Sequence, residues 1–442
     1  MRGRFANGSP PFHSPAMADR LPVTVLSGFT GAGKTTLLNH LLAQGAGGRV
    51  AVLVCGAQDG QTVAPLPPGC EVTVLPEADT LMAEAAKLAA QGRFDALLVE
   101  ADGRDDPLAI AEGFLFETEH GAGPDAALQP DTLVTVIDAA TFLADLNDAD
   151  FLADRGLAQG PEDDRTVAEV LAAQVEFCDV IVLNKADLAS AGELARLRAV
   201  LHALNPRAGI VEASFGNVPP QRVSGTSRFD FAATADGPGW LAALQGMAPE
   251  PDSGVSTLVY RRRRPFHPQR FADLIHTEWL REHGSVLRSR GLFWLASRMD
   301  TAGDWNQAGG VCRHGGAGAW WSALDPAEWP TDDADRAGIE ADMQVDGAPA
   351  PFGDRRQELV LIGVDLDAAA LAARLDACLL DDAEMAAGTQ AWADYADPFP
   401  AWIDELDKDH EHDHGHHHEH GDSCGCGDTA HDHGNHRGGH AH

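Results

Sequence analysis

Long apolar runs are missing from this chain. Nothing in its 442 residues approaches the ~20 consecutive apolar positions that a helix needs to cross a bilayer. The first 20 residues, MRGRFANGSPPFHSPAMADR, also lack the apolar stretch of a signal peptide and read as a disordered leader. Positive charge is scarce: 67 acids stand against 32 bases, a formal charge of -35. Phosphate backbones repel such a surface, which argues against a nucleic-acid binder and leaves a weak general affinity for cations. Cysteine is sparse, and seven scattered residues do not make a disulfide framework. Cys55, Cys70, Cys178, Cys312 and Cys378 are isolated, as small core residues usually are. These absences predict a soluble cytoplasmic protein with neither membrane nor nucleic acid as partner, and leave open whether it is a homo-oligomer.

What is present suffices for two or three domains, with an apolar fraction of 44% to bury. From Leu21 to about Met247, short apolar runs alternate with helical stretches. The runs are Pro22–Ser27, Val50–Val54, Phe94–Glu100, Thr132–Asp138 and Asp179–Asn184; the helices include Lys34–Gln44, Ala78–Gln91 and Thr166–Phe177. Strands apolar throughout are buried on both faces, which predicts a doubly wound, mainly parallel α/β sheet over 21–247. A proline- and acid-rich linker follows at 248–254. All nine tryptophans lie from Trp240 onward. STLVYRRRRPFHP, FADLIHTEWL and SVLRSRGLFWLASR read as strand, helix and strands, and RRQELVLIGV with AAALAARLDACLL adds a strand and a helix. The pattern predicts a smaller α+β domain over 255–405. Arg261–Arg264 is a basic run, expected to pair with acids of the chain's own first domain.

Gly28-Phe29-Thr30-Gly31-Ala32-Gly33-Lys34-Thr35, followed by Thr36, satisfies G-x4-G-K-[ST] between a strand and a helix. Glycines let backbone N–H groups curl round a β-phosphate, and the helix N-terminus adds its dipole. Lys34 would neutralise β- and γ-phosphate charge, and the Thr35 hydroxyl would bind Mg²⁺. FDALLVEADG ends an apolar strand with Glu100, read as the second Mg²⁺ ligand through a water. Asp102 and the Gly103 backbone would approach the γ-phosphate, so Lys34, Glu100 and Asp102 are the candidate catalytic residues. DVIVLNKADL carries Asn184-Lys185-Ala186-Asp187, an N-K-x-D arrangement. The Asp187 carboxylate can accept from N1–H and the 2-amino group of guanine; adenine offers neither donor. The Lys185 stem can lie over the base, so GTP is the expected nucleotide.

From residue 406 the chain becomes a low-complexity tail, expected to be disordered without metal. It holds His410, His412, His414, His416, His417, His418, His420, His431, His433, His436, His440 and His442, with Cys424 and Cys426 between them. Neutral imidazole suits Zn²⁺, Ni²⁺ and Cu²⁺, and two thiolates favour zinc or Cu(I). Flexible, redundant ligands predict several ions held loosely.

SGFTGAGKTTLLNHLL, LLVEADGRDDPLAIAEGF and VIVLNKADL resemble the CobW-like P-loop GTPases, and especially their zinc-responsive branch. The resemblance continues through VTVIDAATFLADL, PEDDRTVAEVLAAQVEF, LNPRAGIVEASFG, RRRRPFHPQRF, GLFWLASR, AGGVCRHGGAGAWW and PFGDRRQELVLIG. It implies a GTPase domain, a smaller CobW C-terminal-like domain, and a metallochaperone that hydrolyses GTP while delivering zinc to a client metalloprotein. The family's G-C-x-C-C metal motif is reduced here to Gly69-Cys70, and a lone thiolate does not close zinc's tetrahedral site. Cys70 is therefore read first as an ordinary loop or core cysteine, and as a candidate ligand only if Cys55 supplies a second sulfur. Slow GTP hydrolysis is expected. Two other readings stay open: a zinc-sequestering protein with a weakly coupled GTPase domain, and an ATP-dependent kinase or transferase, which Asp187 opposes.

Overall fold

The computed structural model describes residues 20–45, 48–56, 67–76, 78–116, 127–247 and 254–402. All but the last residue of the leader, most of the linker and the whole tail lie outside them. Its strands are β1 (Leu21–Ser27), β2 (Val50–Cys55), β3 (Glu71–Leu75), β4 (Ala96–Glu100), β5 (Leu128–Asp138), β6 (Val180–Asn184) and β7 (Gly209–Glu212). There follow β8 (Val255–Arg262), β9 (Ser285–Phe293), β10 (Thr301–Ala308), β11 (Val311–Ala319), the short pair β12 (Gln344–Val345) and β13 (Ala348–Pro349), and β14 (Gln357–Val364).

β1 to β7 form one parallel sheet in the order β3-β2-β4-β1-β5-β6-β7. Successive strand residues face opposite sides. Val25, Leu53, Val99, Leu133 and Leu183 therefore enter one core, and Leu26, Val52, Leu98, Val134 and Val182 the other. Helix α1 (Lys34–Ala43) covers the second core with Leu37, Leu38, Leu41 and Leu42. Helices α2 (Leu81–Ala90), α3 (Pro107–Leu115), α4 (Phe142–Leu146), α5 (Val167–Glu176) and α6 (Ala191–Leu204) bury residues in the first. The five apolar runs all lie in interior strands. The two edges, β3 and β7, carry exposed or half-buried residues almost throughout and break the continuous apolar pattern.

The second sheet is antiparallel, ordered β11-β10-β9-β14-β8. Val360, Ile362 and Val364 of β14 and Leu287 of β9 join the first core. Trp279, Trp294, Trp305 and Trp392 are almost wholly buried: Trp305 packs against Phe271 and Trp279, with Phe266 and Phe271 stacked at 4.4 Å, while Trp294 and Trp392 pack against each other and Phe352. The tryptophan enrichment is thus a second aromatic core; truncating one such ring costs about 3–5 kcal/mol. SVLRSRGLFWLASR makes one strand, not several, because the chain leaves β9 at Trp294 and Leu295 makes only an isolated bridge to Phe266 before a turn.

The basic run behaves differently from expectation. Arg261 meets Glu358, its cross-strand neighbour on β14; Arg262 grips Asp376, and Arg264 meets Asp382. Arg263 donates to the carbonyls of Gly353 and Asp342. The acids come from the antiparallel half, not the parallel one, because register and the following helix bring them within reach first. A cleft of about 600 Å³ runs along Arg262, Arg263, Arg264 and Arg270.

Candidate nucleotide site

β1 delivers the glycine-rich loop to its C-terminal end, where α1 begins. Gly28 has φ 130°, and a Cβ there would strike the Val136 carbonyl, so only glycine fits. Gly33, left-handed at the start of α1, makes no side-chain cap, and this leaves the first N–H groups of the helix for an anion. Lys34 is 9% exposed, and its ammonium donates to the Gly28 carbonyl at 2.6 Å. Burial lowers its pKa against the pull of Glu100, Asp102 and Asp105.

β4 ends directly alongside. The Thr35 hydroxyl donates to Glu100 Oε1 at 2.5 Å, while the buried Oε2 has no hydrogen-bond partner. Burial raises the pKa of this carboxyl more than Thr35 and Lys34 lower it. A hydroxyl and a carboxylate with a free, desolvated oxygen form the hard-oxygen donor set that suits Mg²⁺. Gly103 abuts the phosphate loop, since a Cβ on it would lie 2.7 Å from the Thr30 nitrogen. The Asp102 carboxylate is less free than its place in the sequence suggests. Arg104 grips both its oxygens, at 2.6 and 2.7 Å. Burial pushes Asp102 up, but the hydrogen bonds and charge of Arg104 carry it below the usual range.

The N-K-x-D turn follows β6. Both ends of the Asn184 amide engage backbone: Nδ2 donates to Ala32 O at 2.9 Å, and Oδ1 accepts from Gly216 N at 3.0 Å. Asn184 thereby ties the phosphate loop to the 213–217 loop. Lys185, left-handed at φ 56°, donates to Gly31 O at 2.9 Å and to Asp138 Oδ2 at 2.5 Å. Asp187 stands exposed beside them. The structure therefore gathers Gly28 to Thr35, Glu100, Gly103, Asn184 and Lys185 at the C-terminal edge of one sheet, where open α/β sheets bind ligands. Asp138, Gly216 and Arg104 escape the motif search. Of these, only Asp138 carried a sequence signal, an acid closing an apolar strand.

Comparison with known proteins finds matches for both halves of the chain. The nucleotide-binding domain of CobW/HypB/UreG matches residues 22–212, and the C-terminal domain of the cobalamin synthesis protein CobW matches 255–379. A zinc-regulated GTPase metalloprotein activator of Dictyostelium discoideum is 34% identical over 411 residues, 86% of this chain and 84% of that protein. The chain belongs to the CobW/HypB/UreG family. A zinc chaperone of Mycobacterium tuberculosis is 34% identical over 252 residues, 55% of this chain and 56% of its own length. A zinc chaperone of Pseudomonas aeruginosa is 33% identical over 227 residues, 45% of this chain and 58% of its own.

Of the candidate metal ligands, every tail histidine, Cys424 and Cys426 lie outside the described residues. Cys70 is half-buried and packs with Val72 and Val211 against the core under α1. The Cys55 thiol is pushed up to about 12, chiefly by burial, which disfavours the thiolate that binds metal. Among the described residues, no three His, Cys, Asp or Glu side chains are grouped to hold a metal. No helix among them is long and apolar enough to cross a membrane.

Proposed function

We propose that this family member binds and slowly hydrolyses GTP and serves as a zinc metallochaperone, with zinc as cargo on its histidine-rich tail and a client metalloprotein as recipient. The observation that carries the nucleotide half is the Thr35–Glu100 pair beneath the phosphate loop, with one carboxylate oxygen buried and unpartnered. Thr35 and Glu100 would hold Mg²⁺, which supplies positive charge against the β- and γ-phosphates when bound. Lys34 leaves the Gly28 carbonyl to meet the phosphates, and its desolvated ammonium is worth more there than in water. Gly103 brings the loop after β4 against Thr30, at the γ-phosphate end. Asn184 and Lys185 hold the base loop on the phosphate loop, and Asp187 selects guanine. The zinc half is supported by the relatives' names and by the tail composition.

Calorimetry with Mg²⁺ tests the nucleotide half. GTP should bind at least about tenfold more tightly than ATP, roughly 1.4 kcal/mol, and Asp187→Ala should remove most of that difference. Equal affinities in the parent would sink the guanine reading. For the zinc half, a chain ended after Lys408 should lose most of its zinc by elemental analysis and keep its GTP affinity. Unchanged zinc content would mean that the cargo is held elsewhere.

A further inference from the structure

Three successive carbonyls of the loop after β4 are held from one direction. Gln174 Nε2 donates to Gly103 O at 3.1 Å and to Asp105 O at 3.2 Å, and Arg165 Nη1 donates to Arg104 O at 3.0 Å. Gln174 lies on α5, and Arg165 just precedes that helix. Packing alone does not account for an amide here. Gln174 is 1% exposed among the apolar residues of α5, and its Oε1 has no partner. Burying an unsatisfied amide oxygen is costly, and the two carbonyls it serves are what offsets that cost.

The same helix is gripped at both ends by the antiparallel sheet. Arg288 of β9 donates to Glu176 at 2.7 and 3.2 Å, with both side chains buried, at the C-terminus of α5. Arg313 of β11 meets Glu169 in the first turn at 2.5 and 3.2 Å, and Asp164 just before it at 2.7 Å. In the turn between β10 and β11, Gly310 N donates to Asp148 O at 2.9 Å, and Gly309 sits close against Ala168 of α5.

We propose that Gln174 and Arg165 are positioning residues for hydrolysis, and that α5 couples the loop facing the terminal phosphate to the antiparallel sheet. This rests on the GTPase reading. A ligand shifts a conformational balance only through contacts that differ between the states. The γ-phosphate is the group by which GTP differs from GDP, and Gly103 stands at its end of the site. Because α5 fixes residues 103–105, a displacement there moves the helix or breaks its bonds. By reciprocity, whatever binds the antiparallel sheet and shifts α5 changes GTP affinity by the same factor.

The protein carries its own reporter, since every tryptophan lies from Trp240 onward. Trp305 is buried, and its indole donates to Ser289, one residue from Arg288. In the full-length chain, tryptophan emission should differ between the GDP state and a non-hydrolysable GTP analogue. Gln174→Met should abolish the difference and lower kcat about tenfold with KM within about twofold. Arg165→Gln, at a more exposed side chain, should act the same way and serves if Gln174→Met does not fold. Identical emission in the two states of the parent, with both nucleotides shown bound by calorimetry, would overturn the coupling. So would unchanged kcat in both variants. Failure of the parent to bind either nucleotide would instead remove the GTPase reading beneath it.

Discussion

Lys34 in the parallel half and Arg288 in the antiparallel half are both buried cations, and they differ in what is left for a ligand. The Arg288 guanidinium meets both oxygens of Glu176, the Asn306 side chain at 2.6 Å and the Gln307 carbonyl at 2.9 Å. The Lys34 ammonium has one backbone carbonyl of its own loop, and the nearby Glu100 keeps a bare oxygen. Buried charge is tolerated when it is paired and hydrogen-bonded. Where that satisfaction is complete, the group is architecture; where it is withheld, room is left for a ligand to supply it. Glu100 and Lys34 also shift away from their charged forms through burial, as groups awaiting a counter-charge do.

The comparison breaks first at Lys34. Lys34→Ala should cost about a thousandfold in GTP turnover, since its charge stabilises the transferring phosphoryl group, while the circular dichroism spectrum stays that of the parent. Phosphate release persisting in a contaminant-free preparation would show that the lysine is as structural as Arg288. Arg288→Met should behave in the opposite way. It strands the Glu176 carboxylate at 2% exposure, and losing one partner of a buried pair costs about 3–5 kcal/mol. Urea unfolding should show that loss. Adding Glu176→Gln should restore most of it, because a neutral pair carries no uncompensated charge. If the double variant stayed as unstable as the single, packing rather than charge would be the cause.

The same contrast explains what the sequence made legible. Interior strands announce themselves because both faces are apolar, so β1, β2, β4, β5 and β6 stand out. Edge strands β3 and β7 do not, and neither do β10 and β11, whose TAGDWNQA and VCRHGGAGA are polar or glycine-rich. The phosphate loop and the N-K-x-D turn are contiguous, hence readable. Gln174, Asp138 and Gly216 join the site only by folding across long stretches of chain; Gln174 and Gly103 are 71 residues apart. The acids that meet Arg261, Arg262 and Arg264 are hidden from the sequence for the same reason: proximity depends on strand register, which composition does not reveal.

A paired charge at the surface completes the series and should give the smallest effect. Arg270 grips Glu384 through both oxygens at 2.6 and 2.8 Å, and that hydrogen bonding, opposed by a little desolvation, lowers the carboxyl from 4.5 to about 2. A folded-state pKa below the unfolded value gives stability that is present above about 4.5 and fades as pH falls toward about 2. The side chains are 35% and 23% exposed, so water screens the pair, and it is worth at most about 1 kcal/mol. Glu384→Gln can keep the capping-box bond to the Asp381 N–H while removing the titration. Acid titration of stability should therefore be flatter in Glu384→Gln than in the parent, by no more than about 1 kcal/mol, with little change in hydrolysis. A loss as large as that of Arg288→Met would mean that exposure does not separate these two pairs.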